Sequence, residues 1–235
     1  MFRFKQFTIQ DSVCAMKVGT DGVILGAWAD INSPVASPRI LDIGTGSGLI
    51  AIMLAQRFAD AHIDAIDIDE SAIIQTKENV ANCPYAERII AWKTDLADME
   101  EEPRYDIIVS NPPFYQEDTS CPDAKRDTAR HTSSLPFDLL MSKASAMLDS
   151  HGTFCVIIPT TVASDMIGSS ALHSLYLSHR TDIHTTMRKP AKRTLLAFTH
   201  DRTINTIIDH LYLRDADNNI SAEYKLLTEA FYLNH

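Results

Sequence analysis

The sequence has few cysteines and no long apolar run. None of its cysteines belongs to a Cys-x-x-Cys pair, which argues against a zinc knuckle and against a dithiol redox motif. These cysteines are Cys14, Cys83, Cys121 and Cys155. No segment reaches the roughly 18 uninterrupted apolar residues of a membrane-spanning helix, and no apolar stretch typical of a signal peptide follows Met1–Lys5. We therefore expect a soluble, cytoplasmic protein with reduced thiols and no metal.

Positive charge is also scarce. The chain has 21 lysines and arginines against 31 acidic residues, and its net charge is −10. A protein that coats nucleic acid without selectivity is basic, so this class is excluded, but a selective enzyme needs only a local basic patch. One such patch lies in a stretch without acidic residues and could equally be a solvated loop. It consists of Arg188, Lys189, Lys192 and Arg193.

The sequence Asn111-Pro112-Pro113-Phe114 follows the apolar, β-branched run Tyr105–Ser110, which predicts a buried parallel strand. Two prolines cannot continue a strand, so the chain must leave the sheet at Asn111. The side-chain oxygen of Asn111 and the carbonyl of Pro112 can each accept one hydrogen of an exocyclic NH2 group. Phe114 offers a flat apolar face for a planar substrate. A proline-rich turn after a core strand is the alternative.

A glycine-rich turn, Gly44-Thr45-Gly46-Ser47-Gly48, follows the predicted strand Arg39–Ile43 and precedes a helix. Such a turn brings backbone N–H groups and a helix N-terminus close to a ligand. Acidic residues follow three successive predicted strands, and helix capping is the alternative for each. They are Asp42 in the first, Asp67 and Asp69 after the second, and Asp95 after the third. Asp67 lies at about the separation from the glycines at which an acid reaches ribose hydroxyls.

The 235 residues, 45% of them apolar, predict one α/β domain. We divide it into an N-terminal extension (1–38), a core (39–200), and a C-terminal strand and helix of the same domain (201–235). The polar stretch 115–134 is long for a compact domain and is a candidate substrate loop. We found no internal repeat, and we assume a monomer.

Together, the glycine turn after Asp42, the acids Asp67 and Asp95, and the Asn111–Phe114 sequence resemble the motif series of class I S-adenosylmethionine-dependent methyltransferases. Segments outside these motifs resemble one family, the bacterial tRNA1(Val) (adenine-37-N6)-methyltransferases. These segments are Cys14–Gly22, Leu25–Trp28 and Ala230–Leu233. The resemblance implies a Rossmann-like fold with a mostly parallel, seven-stranded sheet and helices on both faces.

The resemblance also implies roles for single residues. Gly44, Gly46 and Gly48, with Asp42 nearby, would approach the methionine part of S-adenosylmethionine. Asp67 would hold the ribose, although Asp69 is close enough to compete, and Asp95 would bind the adenine amino group. Asn111 and Pro112 would position the target N6 beside the cofactor, and Phe114 would stack on the target base. The basic patch would contact phosphates of the tRNA. Many relatives have Tyr in place of Phe114.

The implied reaction is methyl transfer from S-adenosylmethionine to the N6 of adenine 37 in the tRNA anticodon loop. A protein-glutamine N5-methyltransferase or an rRNA guanine-N2-methyltransferase would use the same Asn-Pro-Pro-aromatic site. A nicotinamide-dependent oxidoreductase is disfavoured by the glycine spacing. A binding protein that keeps the fold without turnover is a further alternative.

Overall fold

In the computed structural model, the described residues are 1–12, 17–31, 35–102, 104–113 and 135–233. Runs of β-branched and other apolar residues form the strands, as expected for segments buried on both faces. The strands are β1 (Phe2–Arg3), β2 (Thr8–Ile9), β3 (Arg39–Ile43), β4 (His62–Asp67), β5 (Ile89–Lys93), β6 (Tyr105–Ser110), β7 (Leu148–Pro159), β8 (Tyr176–Thr186), β9 (Ala191–Thr199) and β10 (Ile207–Arg214).

β1 and β2 pair as a separate two-stranded sheet, and helices cover both faces of the main sheet formed by β3–β10. The helices are α1 (Thr20–Trp28), α2 (Leu49–Arg57), α3 (Glu70–Ala81), α4 (Phe137–Met147), α5 (Thr160–Ser170) and α6 (Ala222–Thr228). Apolar side chains of α1, α2, α3 and α6 share one buried cluster with one face of the sheet. Those of α4 and α5 share a second cluster on the other face. The predicted Rossmann-like arrangement, with helices on both sides, is therefore confirmed.

The main sheet has eight strands in the order β10-β8-β9-β7-β6-β3-β4-β5, and β9 alone runs antiparallel to its neighbours. The prediction of seven strands was wrong by one. The strand expected within 201–235 is present as β10, the eighth strand of this sheet, and it pairs in parallel with β8 from Ile207↔His179 to Arg214↔Thr186. This pairing satisfies backbone groups of β8 that would otherwise form an open edge, and it buries Leu211 against the core.

The order of the strands creates a switch point between β3 and β6. From β3 the chain proceeds outward through β4 and β5, and it then returns to the other side of β3 as β6. The helices after β3 and after β6 therefore lie on opposite faces, which leaves a crevice at the carboxyl ends of these two strands. The Ser110 hydroxyl donates to the Ile43 carbonyl at 3.0 Å and closes the base of this crevice.

The two end segments of the chain pack against each other. The Lys5 N–H donates to the Phe231 carbonyl at 2.8 Å, and the rings of Phe4 and Tyr232 stack with centroids 5.9 Å apart. Phe4 and Phe231 are both fully buried in the cluster beneath α1 and α2. The domain boundaries 1–38, 39–200 and 201–235 stay a prediction. Within the described ranges, no helix is long and apolar enough to cross a membrane.

Two glycines in helices lead to opposite predictions. A Cβ at Gly26 of α1 would lie 2.9 Å from the Met53 Sδ and 3.1 Å from its Cβ, in the contact between α1 and α2. A Cβ at Gly168 of α5 would meet no heavy atom within 4 Å. Since alanine favours a helix over glycine by about 1 kcal/mol, Gly168→Ala should stabilise the protein by about 0.5–1 kcal/mol.

Gly26→Ala should instead destabilise it by about 1–3 kcal/mol, because overpacking of a filled core exceeds the gain in helix propensity. Urea unfolding of both variants, followed by circular dichroism, measures the two changes. Equal shifts of the same sign would contradict the packing argument.

Candidate active site

The glycine turn connects β3 to α2 at the switch point. Gly44, Gly46 and Gly48 have φ angles of 71°, 58° and 79°, a region that residues with a Cβ rarely adopt. A Cβ at Gly44 or Gly46 would meet nothing within 4 Å, whereas one at Gly48 would lie 2.9 Å from the Thr76 Cγ2. The first two glycines therefore face open space, and the third allows the turn to pack against α3.

Asp42 holds this turn from beneath. One of its carboxylate oxygens accepts hydrogen bonds from the Thr45 hydroxyl at 2.7 Å and from the Ala51 N–H at 3.2 Å. The side chain is 1% exposed, and this burial, together with the charge of Asp67, raises the pKa of Asp42 from 3.8 to about 7. The structure thus places Asp42 inside the protein, where it fixes the shape of the loop.

Asp67 and Asp69, which the sequence left as competitors, have different surroundings. Asp67 accepts the Gly46 N–H at 2.9 Å and the Asp69 N–H at 2.9 Å, so it is joined directly to the glycine turn. Asp69 caps α3 by accepting the N–H and the hydroxyl of Ser71. Burial raises the pKa of Asp67. Of the two acids, Asp67 is the one coupled to the loop.

Asp95 follows β5 at the same edge of the sheet. Its Oδ1 accepts the Ala97 N–H at 2.9 Å and caps the 3-10 turn Leu96–Asp98. The neighbouring Thr94 N–H donates to the Asp67 carbonyl at 3.1 Å, which ties the end of β5 to the end of β4. The capping expected as an alternative is therefore present at Asp95, and Asp95 does not line the cleft described below.

Asn111 leaves the sheet directly after Ser110, as predicted, and it lines the crevice, while Pro112 is buried behind it. The Asn111 Nδ2 lies 4.0 Å from the position that a Cβ would take at Gly22 of α1. The amide thus faces the start of α1 across the crevice. Phe114 and the whole candidate substrate loop, residues 115–134, lie outside the described residues.

These elements enclose a cleft of about 240 Å³. One wall is the glycine turn with the start of α2, and the other is the segment Lys17–Gly22, which leads into α1. Sequence analysis used this segment only within the resemblance of Cys14–Gly22 and assigned it no contact with a ligand; in the structure it leads into α1, whose N-cap is Gly19. Two glycines in this segment lie close to charged residues. That composition was the signal for a turn that faces a ligand rather than for an ordinary helix start.

Two polar side chains of α3 also hold the glycine turn. The Thr76 hydroxyl donates to the Gly46 carbonyl at 2.9 Å. The Asn79 amide donates to the Ser47 carbonyl and to the Gln10 carbonyl, both at 2.8 Å. Both side chains are almost fully buried. Sequence reasoning missed them, although polar residues three apart on the buried side of a helix indicate partners in the interior.

The basic patch lies on the hairpin between β8 and β9, at the same edge of the sheet. Arg188, Lys189 and Lys192 are exposed. Arg193 instead donates from Nε to the Asp21 carboxylate at 2.7 Å, which connects the hairpin to the wall of the cleft. The structure therefore brings three of the four residues to the surface and pairs the fourth. In the parts of the chain that are described, no three His, Cys, Asp or Glu side chains are grouped as metal ligands would be.

Solved structures superpose on this chain and share its fold. A "predicted O-methyltransferase" from Agrobacterium tumefaciens superposes with a TM-score of 0.69 at 16% identity, over 90% of this chain and 96% of that one. The ribosomal protein L11 methylase of Lactobacillus delbrueckii subsp. bulgaricus superposes with a TM-score of 0.51 at 20% identity, over 76% of each chain. The fold is that of the class I methyltransferases.

Sequence comparison defines the family. The model of the methyltransferase small domain matches residues 29–181. A protein of Phocaeicola vulgatus named tRNA1(Val) (adenine(37)-N6)-methyltransferase is 45% identical over 99% of this chain and 97% of its own. The protein of the same name in Escherichia coli O157:H7 is 41% identical over 99% of this chain and 94% of its own. The chain therefore belongs to the methyltransferase small domain family and, within it, to the family of tRNA1(Val) (adenine(37)-N6)-methyltransferases.

The buried Asp42 predicts a pH dependence of stability. Its pKa is about 7 in the folded protein and 3.8 as the ordinary value, so the folded state binds more protons between these values. Stability therefore falls as pH rises from about 4 to 7. Asp42→Asn keeps an oxygen for Thr45 and Ala51 but cannot ionise. Its free energy of unfolding relative to wild type should rise by about 1–3 kcal/mol between about pH 5 and pH 7.5.

Urea unfolding of the ligand-free protein across this pH range measures the difference. Asp60→Asn, at an exposed carboxylate, is the control and should follow wild type. A constant difference between Asp42→Asn and wild type at all pH values would show that Asp42 is ionised throughout.

Proposed function

We propose that this protein transfers a methyl group from S-adenosylmethionine to the N6 of an adenine in tRNA, and that the adenine is residue 37 of tRNA1(Val). The names of relatives that are 41–45% identical over nearly the whole chain support the substrate. The observation that carries the chemistry is the position of Asn111, at the end of β6 and on the wall of the glycine-lined cleft. A tRNA substrate also supports the cytoplasm as the site of the reaction.

The cleft fits S-adenosylmethionine in three respects. Gly44 and Gly46 leave open space where side chains would otherwise stand, so a ligand can approach the backbone. Asp67 supplies a partly buried carboxylate beside the turn, suited to hydroxyl donors of a ribose and to a cationic ligand. Asp95 lies outside the cleft wall, at the end of β5, where one carboxylate oxygen caps its own turn and the other could accept from an amino group of a ligand that extends beyond the cleft. We assign Asp42 to positioning the loop and Gly48 to packing it.

Asn111 and Pro112 orient the target nitrogen. The Asn111 Oδ1 and the Pro112 carbonyl oxygen each accept one N6 hydrogen, which aims the nitrogen lone pair at the cleft. The Ser110–Ile43 hydrogen bond holds this part of the chain against the glycine turn, so the acceptor and donor sites keep a fixed separation. Such orientation removes much of the entropic barrier of a reaction between two bound molecules. Phe114, assigned from the sequence alone, stacks on the target base.

S-adenosylmethionine, when bound, supplies a methyl group on a cationic sulfur, and its transfer forms a C–N bond, breaks the S–C bond, leaves S-adenosylhomocysteine and releases one proton from N6. The protein needs no metal and no covalent enzyme intermediate for this displacement. Its residues orient the two reactants and exclude water. The adenine must be unstacked to enter the site, and a base of an anticodon loop is readily splayed out.

Removal of the Asn111 amide should abolish most turnover without unfolding the protein. We expect Asn111→Ala to lower kcat by about 10²–10³-fold, as for the loss of one preorganised hydrogen-bonding group at a reacting centre. Its affinity for S-adenosylmethionine, measured by calorimetry, should change little in comparison. The assay is methyl transfer from labelled S-adenosylmethionine to total tRNA of a strain that lacks the gene, followed by nucleoside analysis.

Asn205→Ala, at an exposed asparagine, is the matched control and should retain full activity. N6-methyladenosine that appears with wild type and not with Asn111→Ala supports both the chemistry and the substrate. Label in rRNA or in protein glutamine instead of tRNA would contradict the substrate while keeping the fold and the cofactor.

We expect the four basic residues of the hairpin to have two different roles, phosphate binding and support of the cleft wall. Arg188, Lys189 and Lys192 are exposed, so replacing all three by alanine should raise the KM for tRNA at least tenfold. The slope of log affinity against log salt should fall by about 2–3, close to one for each lost phosphate contact. Arg193→Ala removes the partner of Asp21 in the cleft wall, and its salt slope should change by less than about 1. Filter binding of tRNA at several salt concentrations measures both, and a triple variant with the wild-type slope would refute the assignment.

A further inference from the structure

Three aromatic rings lie beside the basic hairpin, at the far end of the sheet. His184 is in β8, and His210 and Tyr212 are in the edge strand β10. The rings of His184 and Tyr212 stack with centroids 4.8 Å apart at 29°, and the His210 ring is 5.2 Å from that of His184. His210 is exposed, and the other two are half-buried. We call these three residues the ring cluster.

Hydrogen bonds fix the rings in place. The His184 Nδ1 lies 2.8 Å from the Lys189 carbonyl oxygen, and since a carbonyl only accepts, this nitrogen carries a hydrogen. The His184 Nε2 lies 3.2 Å from the His210 Nδ1. In the neutral pair, His210 donates to His184, and the His210 Nε2 remains as an acceptor.

The charges around the ring cluster favour an anion. On β8, the carboxylate of Asp182 lies next to His210 in the sheet, but it is held by Arg180 at 2.9 Å and by the Thr194 hydroxyl. On β10, Asp209 points to His179 on the other face. Among the described residues, the hairpin beside His184 carries the exposed cations Arg188 and Lys189. On β10, the exposed Arg214 follows Tyr212 by two residues, and Asp215 comes directly after it.

The ring cluster lies at the same end of the sheet as Asn111, the end at which the parallel strands have their carboxyl termini. β10 runs parallel to β8, and both end where β6 and β7 end, with the hairpin between them and the active site. Adjacent strands lie about 4.8 Å apart, so four strand spacings separate the end of β10 from Asn111, about 19 Å. This is the length of five to six stacked nucleotides at about 3.4 Å each. An RNA that reaches Asn111 across the hairpin therefore also reaches the ring cluster.

We propose that the ring cluster is a second docking surface for the tRNA substrate, which binds the ribose-phosphate backbone of the anticodon arm beyond the hairpin. The proposal rests on the proposed function. Aromatic and imidazole rings beside cations are the usual components of RNA-binding surfaces. The rings hold each other in position, so binding orders few side chains. Such a local surface lets a chain with a net charge of −10 bind a polyanion.

The double variant His210→Ala, Tyr212→Ala tests the proposal. We expect the KM for tRNA and the Kd for an anticodon stem-loop to rise about 5- to 30-fold. The value of kcat and the affinity for S-adenosylmethionine should stay within about twofold of wild type. His210→Gln leaves the half-buried Tyr212 in place, and it should therefore raise the Kd less than the double variant does.

His151→Ala is the control. His151 is exposed, near the start of β7 and at the opposite end of the sheet, so this variant should bind tRNA as wild type does. Ring-cluster variants that fold and bind the stem-loop like wild type, while the hairpin variant binds weakly, would overturn this proposal alone. A wild-type protein that methylates no tRNA would instead refute the proposed function. Variants that alter self-association in light scattering, without a change in tRNA affinity, would assign the ring cluster to a contact between copies of the chain.

Discussion

A buried carboxylate beneath the glycine turn is the interaction on which the rest of the site depends. Asp42 fixes Thr45 and the first turn of α2 through one oxygen, and this fixes the path of a backbone whose glycines all have positive φ. Asp67 then binds the same turn from its open side. Burial raises the pKa of both acids, the charge of Asp67 adds to the shift of Asp42, and a positively charged ligand beside them would favour their ionised forms.

The order of the strands determines where Asn111 and the hairpin cations lie relative to the glycine turn. Because β6 returns to the side of β3 opposite β4, Asn111 arrives beside the glycine turn without any contribution from a distant loop. Because β9 runs antiparallel, the turn between β8 and β9 projects from this same edge, so its cations lie next to the site. The glycine turn, Asn111 and the hairpin cations thus lie along one end of a mostly parallel sheet.

Much of this architecture could be predicted from local sequence. Strand ends, the glycine turn and the departure of the chain at Asn111 follow from residue types that restrict the backbone nearby. Contacts between distant segments could not be predicted in this way. Arg193 has no acidic neighbour in sequence, and its partner Asp21 lies 172 residues away. The pairing of β10 with β8 depends on which edge of the finished sheet is open, which no local pattern encodes.

The contact between the two end segments has a consequence for how the protein folds. Lys5 binds Phe231 through the backbone, and Phe4 and Phe231 fill one buried cluster, so this contact closes a loop of nearly the whole chain. Loop closure of this length is entropically costly, and it follows the formation of local contacts. The segment that packs there continues toward Lys17–Gly22, the second wall of the cleft. On a ribosome, the contact of Lys5 with Phe231 forms only after Phe231 has been synthesised, more than 200 residues after Lys17–Gly22, so the N-terminal segment completes its packing late.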